Sequence, residues 1–185
     1  IAEDEYEFFE RRLKAMARDG QVLINRRGAV CAAEKLALVK CRVEAHKDGF
    51  GFAVPLTPTG EGDFILYERQ MRGVMHGDIV TVRPAGIDRR GRREGTVLDV
   101  VERAQSKVVG RFYMDRGVAI LEAEDKRLSQ SIVLEPESVA QFKPQSGQVI
   151  VAEIETYPEA HRPAVAKLIE VLGDYADSGM EIEIA

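Results

Sequence analysis

The chain has 185 residues, 45% hydrophobic and 31% charged, with a formal net charge of −5. This composition excludes a disordered chain, and no apolar run is long enough for a membrane-spanning helix. Residues 1–102 carry as many basic as acidic groups and the acid excess follows them, so any contact with a polyanion has to be local rather than steered by the whole molecule.

In chain order, Glu3 to Arg18 places Phe9, Leu13 and Met16 at helical spacing, and Gly20 follows as a C-terminal stop. Gln21–Asn25 and Ala29–Ala32 then flank Arg26-Arg27-Gly28, which reads as a β-hairpin with a basic tip. Cys31 and Cys41 stand ten residues apart with no histidine at metal-ligand spacing, so zinc is not expected. Reduced thiols and a cytoplasmic setting are, and no signal-peptide pattern opens the chain.

Lys47-Asp48-Gly49-Phe50-Gly51-Phe52 comes next, followed by Asp63-Phe64-Ile65-Leu66-Tyr67. Alternation puts Phe50 and Phe52 on one strand face. Two such rings are equally what a core strand contains, but the flanking lysine and glycines favour an open platform on which bases of a single strand stack. In the second strand Ile65 and Tyr67 share one face while Phe64 and Leu66 share the other, so Phe64 is expected in the core. His76-Gly77-Asp78 reads as a turn whose backbone Asp78 caps. The densest cationic run, Asp88-Arg89-Arg90-Gly91-Arg92-Arg93-Glu94, occupies a loop between later strands.

An internal repeat organises the rest. Leu38–Val43 aligns with Val108–Tyr113, and Gly77–Val82 with Gly147–Ala152, both at an offset of about seventy residues. Gly95–Val101 then aligns with Ala166–Leu172 after a one-residue slip. The predicted fold class is mainly β: two tandem five-stranded OB-type barrels behind a helix and a β-hairpin. Phe64, Leu66, Val80, Val82 and Leu98 are expected in the first core, and Val149, Val151 and Leu168 in the second. The copies differ in their chemistry. Arg116–Ile120 replaces the aromatic strand and Ser131–Leu134 replaces the second, neither with a ring, while the loop Thr156–Pro163 is nearly neutral. Contact with a single-stranded nucleic acid is therefore assigned to Lys47, Phe50, Phe52, Tyr67, Arg89, Arg90, Arg92 and Arg93 of the first copy. The second copy reads as a spacer that touches backbone at most through Arg111, Arg116 or Arg162.

Lys47–Phe52 and Phe64–Tyr67 resemble the two ribonucleoprotein motifs of cold-shock domains, with Ile65 where the second motif normally has a ring. The helix and hairpin resemble the end of a winged helix-turn-helix domain. Together with Val74-Met75-His76-Gly77-Asp78, Arg89–Glu94 and Glu170-Val171-Leu172-Gly173-Asp174, this order resembles the N-terminal part of the ribonuclease R family of processive 3′-to-5′ exoribonucleases (the ribonuclease II/RNB family). The resemblance implies four segments: 1–35, the end of a winged-helix domain; 36–103 and 106–173, two cold-shock barrels; and 174–185, a linker into an absent catalytic domain. It further implies single-stranded RNA as partner, with the chain's own catalytic domain as a second. No cofactor is expected in this fragment, and Mg²⁺ belongs to the missing domain. Metal-assisted hydrolysis needs converging carboxylates, and the acidic residues here are scattered, with Asp177, Glu181 and Glu183 clustered only near the end. A free-standing cold-shock RNA chaperone and an OB-fold protein-interaction module are the alternative functions.

Overall fold

The computed structural model describes residues 3–18, 22–24, 30–32 and 38–174. The chain divides into two compact units, residues 1–39 and 40–185. In the first, α1 (Glu3–Arg18) precedes an antiparallel pair, β1 (Val22–Ile24) and β2 (Val30–Ala32), in register Leu23 opposite Cys31. Leu13 and Met16 are half-buried on α1, but Phe9 is exposed. The expected tip Arg26-Arg27-Gly28, the stop at Gly20 and the segment from Tyr175 onward lie outside the described residues.

The second unit is two closed five-stranded barrels. The first runs β3 (Val39–Ala45), β4 (Gly51–Pro55), β5 (Phe64–Leu66), the short helix α2 (Glu68–Met71), β6 (Ile79–Ile87) and β7 (Arg93–Glu102). Its strand order is β3-β4-β5-β7-β6, with β5 and β7 parallel. The second repeats this plan with β8 (Lys107–Asp115), β9 (Val118–Ala123), β10 (Ile132–Leu134), α3 (Pro136–Phe142), β11 (Val149–Thr156) and β12 (Ala164–Gly173). There β10 and β12 are the parallel pair. Period-two alternation builds both cores: Cys41, Val43 and Ala45 point inward from β3, as Val108 and Phe112 do from β8.

Most expected core residues are buried: Phe64, Leu66, Val80, Val82, Val149 and Leu168. Leu98 is not, and remains 46% exposed. The pairing of β6 with β7 jumps from Val82 opposite Val97 to Thr81 opposite Asp99, which leaves Leu98 as the extra residue of a bulge and turns it out of the alternation. Val151 is only half-buried because Ile150, Ala152 and Ile154 take the inward positions of β11.

Backbone bonds also correct the repeat alignment. Val43 exchanges bonds with Asp78 and Gly77 (Val43 N–H to Asp78 O, 2.9 Å; Gly77 N–H to Val43 O, 2.8 Å), and Phe112 does the same with Gln148 and Gly147 (2.9 and 2.7 Å). Val43 therefore matches Phe112, not Tyr113. A one-residue slip in a strand moves a side chain to the opposite face, so Tyr113 points outward.

The barrels are joined through a short connector. Asp78 is fully buried, and its carboxylate accepts from Met75 N (2.8 Å), Ala104 N (3.0 Å) and Arg103 Nη1 (3.0 Å). The bond from Met75 is the turn cap expected of Asp78. Arg103 also donates to Gly73 O and lies 4.7 Å from the centre of the Tyr157 ring, whose hydroxyl donates to Gln105 O at 2.6 Å. Gln130 donates its side-chain amide to Met71 O and Val74 O, and Met75 itself packs into the second barrel's core.

Candidate nucleic-acid interface

The glycines of the aromatic hairpin have separate tasks. Gly49 takes φ 90° in the turn between β3 and β4, a conformation that favours glycine. At Gly51 a Cβ would stand 2.8 Å from Met71 Sδ and 2.9 Å from Glu44 O, so any side chain there would displace the end of Met71 and press on the backbone of β3. This turn pairs His46 with Phe50 across the hairpin (His46 N–H to Phe50 O, 2.8 Å). Their rings stack at 4.5 Å and 18°, and Phe52 meets Phe50 edge-on at 5.8 Å and 85°. Three rings thus form a ladder, and Phe50 and Phe52 are each partly exposed. Full burial of both would have left no platform.

Cross-strand register sets the face. Glu44, Phe52, Ile65 and Glu94 form one row, with Arg42 opposite Val54 beside it. Ile65 stands in this outward row yet is only 2% exposed, whereas Tyr67, two residues on, is 42% exposed.

The basic loop is built around Asp88. Its carboxylate accepts from the Tyr67 hydroxyl (2.7 Å), from Arg90 N and Arg92 N (2.8 Å each) and from Arg92 Nε (2.8 Å). The Tyr67 hydrogen bond, followed by those from the loop, holds the Asp88 carboxyl far below the usual carboxylate range. The same bond pushes the Tyr67 phenol up. Arg92 also donates to the Tyr67 oxygen at 3.2 Å, while Arg93 pairs with Glu61 at 2.9 Å and lies 4.1 Å from the Phe64 ring centre. Two of the four arginines singled out from sequence are therefore engaged within the barrel. Lys47, Arg89 and Arg90 are exposed and have no ion pair among the described residues.

Sequence reasoning missed several residues. His46 is the third ring of the ladder; the Asp48-Gly49 turn signal, which puts His46 opposite Phe50, would have found it. Arg42 and Lys40 lie exposed on the outward side of β3. Tyr113 opposes Ile120, and Ile120 opposes Val133, in the matching row of the second barrel. That face therefore carries a ring from β8, the strand whose alignment with β3 was one residue off.

Residues 41–100 match the Ribonuclease B OB domain family and residues 120–185 the Cold shock domain family. Ribonuclease R of Acidithiobacillus ferrooxidans is 43% identical over all 185 residues. Over its whole length the chain is similar to ribonuclease R. It spans less than half the length of these relatives: 42% of the Acidithiobacillus protein and 22% of Escherichia coli ribonuclease R, to which it is 39% identical over 184 residues. Among solved structures, Mycoplasma genitalium RNase R in complex with ribose-methylated single-stranded RNA matches with a TM-score of 0.64 at 17% identity, covering 75% of this chain and 22% of that one. That likeness supports the fold.

Proposed function

We propose that this chain is the RNA-binding, substrate-guiding region of a 3′-to-5′ exoribonuclease, and that its first barrel grips single-stranded RNA. The carrying observation is the His46–Phe50–Phe52 ladder, partly exposed at a hairpin of an OB barrel in a chain similar throughout to ribonuclease R. Bases stack on the Phe50 and Phe52 rings, which serves every base because every base has a π-face. Lys47, Arg89 and Arg90 supply the phosphate contacts available without breaking an internal pair. Tyr67 closes one edge of the platform, and Arg92 and Arg93 shape the loop that presents Arg89 and Arg90.

Hydrolysis, its Mg²⁺ and a cytoplasmic setting belong to the same proposal for the whole protein. Among the described residues no three His, Cys, Asp or Glu side chains converge as a metal site, so no cleavage step is derived from them. No described helix is long and apolar enough to cross a membrane. Titration of fluorescein-labelled oligouridylate, followed by anisotropy, tests the reading. Saturable binding that weakens with salt is expected; no binding to any single strand would overturn it in favour of a protein-interaction module.

A further inference from the structure

Between the two barrels lies a groove of about 630 Å³, lined among others by Arg69, Arg72, Arg103, Leu98, Asp99 and His161. Its charge is unusual for this acidic chain. Arg69 and Arg72 are exposed and have no ion pair among the described residues, Arg103 is bound to Asp78, and Asp99 is the only carboxylate in the lining. His161 is exposed and adds an imidazole donor.

The local fold explains the arrangement. α2 turns Met71 into the barrel and uses the Gln70 carboxamide oxygen to accept from Val97 N at 3.0 Å. Arg69 and Arg72, three residues apart, then share its outer side. Tyr67, at the platform's edge, is the N-cap of α2, and at about 1.5 Å per residue Arg72 lies roughly 8 Å further on. Arg72 also lines a second, smaller groove with Lys47, Gly49 and Glu68 at the hairpin tip. Lys47 and Arg72 thus link the hairpin tip to α2 and the second barrel, with the carboxylates of Asp48 and Glu68 in the same small groove.

We propose that this groove carries the phosphodiester backbone of the strand held on the platform, with Arg69, Arg72 and His161 as its contacts. The inference rests on the RNA-binding reading above and adds the route between the barrels. A backbone is favoured because Arg69 and Arg72 have no ion pair among the described residues and follow Tyr67, the edge of the platform, along α2.

Affinity for oligouridylates of about 4 and about 16 nucleotides, the range one OB fold covers, is compared over a salt series. The double variant Arg69→Gln/Arg72→Gln is expected to weaken the longer strand and leave the shorter one unchanged. Its slope of log K against log salt should shrink by about 1.4, two contacts at about 0.7 each. Arg69→Lys/Arg72→Lys should restore the slope, and equal thermal midpoints would show that the fold is intact. An unchanged slope for the longer strand overturns the groove, and so does equal weakening of both lengths, which would place the arginines at the platform. Loss of polyglutamate binding alone also overturns it, since the groove then takes an acidic peptide. If the parent chain binds neither oligonucleotide, the RNA-binding reading itself has failed.

Discussion

Phe52→Ala is the sharpest perturbation of the platform. Phe52 stands in the outward row between Glu44 and Ile65, and Phe50 already has a ring at 4.5 Å, that of His46. Removing one stacking ring costs about 1–3 kcal/mol per base, which is roughly ten-fold to a hundred-fold in Kd. Because Phe52 is only half-buried, its truncation should cost less stability than the about 3–5 kcal/mol of a core Phe→Ala change, and the barrel should stay folded. Phe52→Leu keeps apolar bulk without a π-face, so it should hold the melting temperature and still lose affinity. Anisotropy titrations at two salt concentrations separate stacking from phosphate contact, since stacking releases few counterions and the fold-loss should be the same at both. Parent-like binding by Phe50→Ala and Phe52→Ala, together with loss of binding on changing Arg116 and Arg162, would refute the reasoning and move the RNA site to the second barrel.

Two further predictions concern stability. Asp78→Ala strips three hydrogen bonds and leaves Arg103 beside an apolar methyl. Breaking a buried pair costs about 3–5 kcal/mol, and with Arg103 24% exposed about 2–4 kcal/mol is expected here. Calorimetry should show a melting temperature lower by roughly 4–16 °C; a change below about 2 °C would mean that the connector is not held by Asp78. Burial pushes the Cys41 thiol up to about 11 from 9.0. A folded pKa raised above the unfolded one gives stability that is full below the unfolded value and lost as pH climbs through the folded one, so unfolding free energy should fall between pH 9 and 11 and the fall should flatten in Cys41→Ala. In a Cys31→Ser background, a thiol reagent at pH 8 should modify Cys41 only on unfolding.

The double barrel was legible because its repeat recurs in glycine-led apolar strands, at Gly77–Val82 and again at Gly147–Ala152. What stayed illegible were shifts of a single residue. Leu98 sits in a bulge, and bulges depend on pairing, which a strand's own sequence does not announce. The alignment of Leu38–Val43 with Val108–Tyr113 was off by one, which matches the inward Val43 with the outward Tyr113. The rings Phe50 and Phe52 could be found because they lie in one strand, two residues apart. Asp88 could not be seen as the organiser of the basic loop, since its partner Tyr67 is 21 residues away and only the closed barrel brings them together.

The duplicated turn shows how the two barrels are joined. Asp78 and Gln148 hold matching positions, and each side chain accepts from the backbone N–H three residues earlier, Met75 in one and Gln145 in the other, both at 2.8 Å. In the second barrel the amide does no more than close its turn. In the first, a carboxylate in the same place has acceptor capacity left and a full charge, and both are used on the connector, through Ala104 N and Arg103. A carboxamide there could still accept but would leave Arg103 without its counter-charge. The connector is then fastened from the other side by Tyr157, while Gln130 ties the second barrel to Met71 and Val74 of the first. A connector fixed at both ends holds the aromatic hairpin of one barrel and the β11–β12 loop of the other at set positions. A flexible single strand gains affinity from such an arrangement because the protein has already met the cost of ordering the two surfaces.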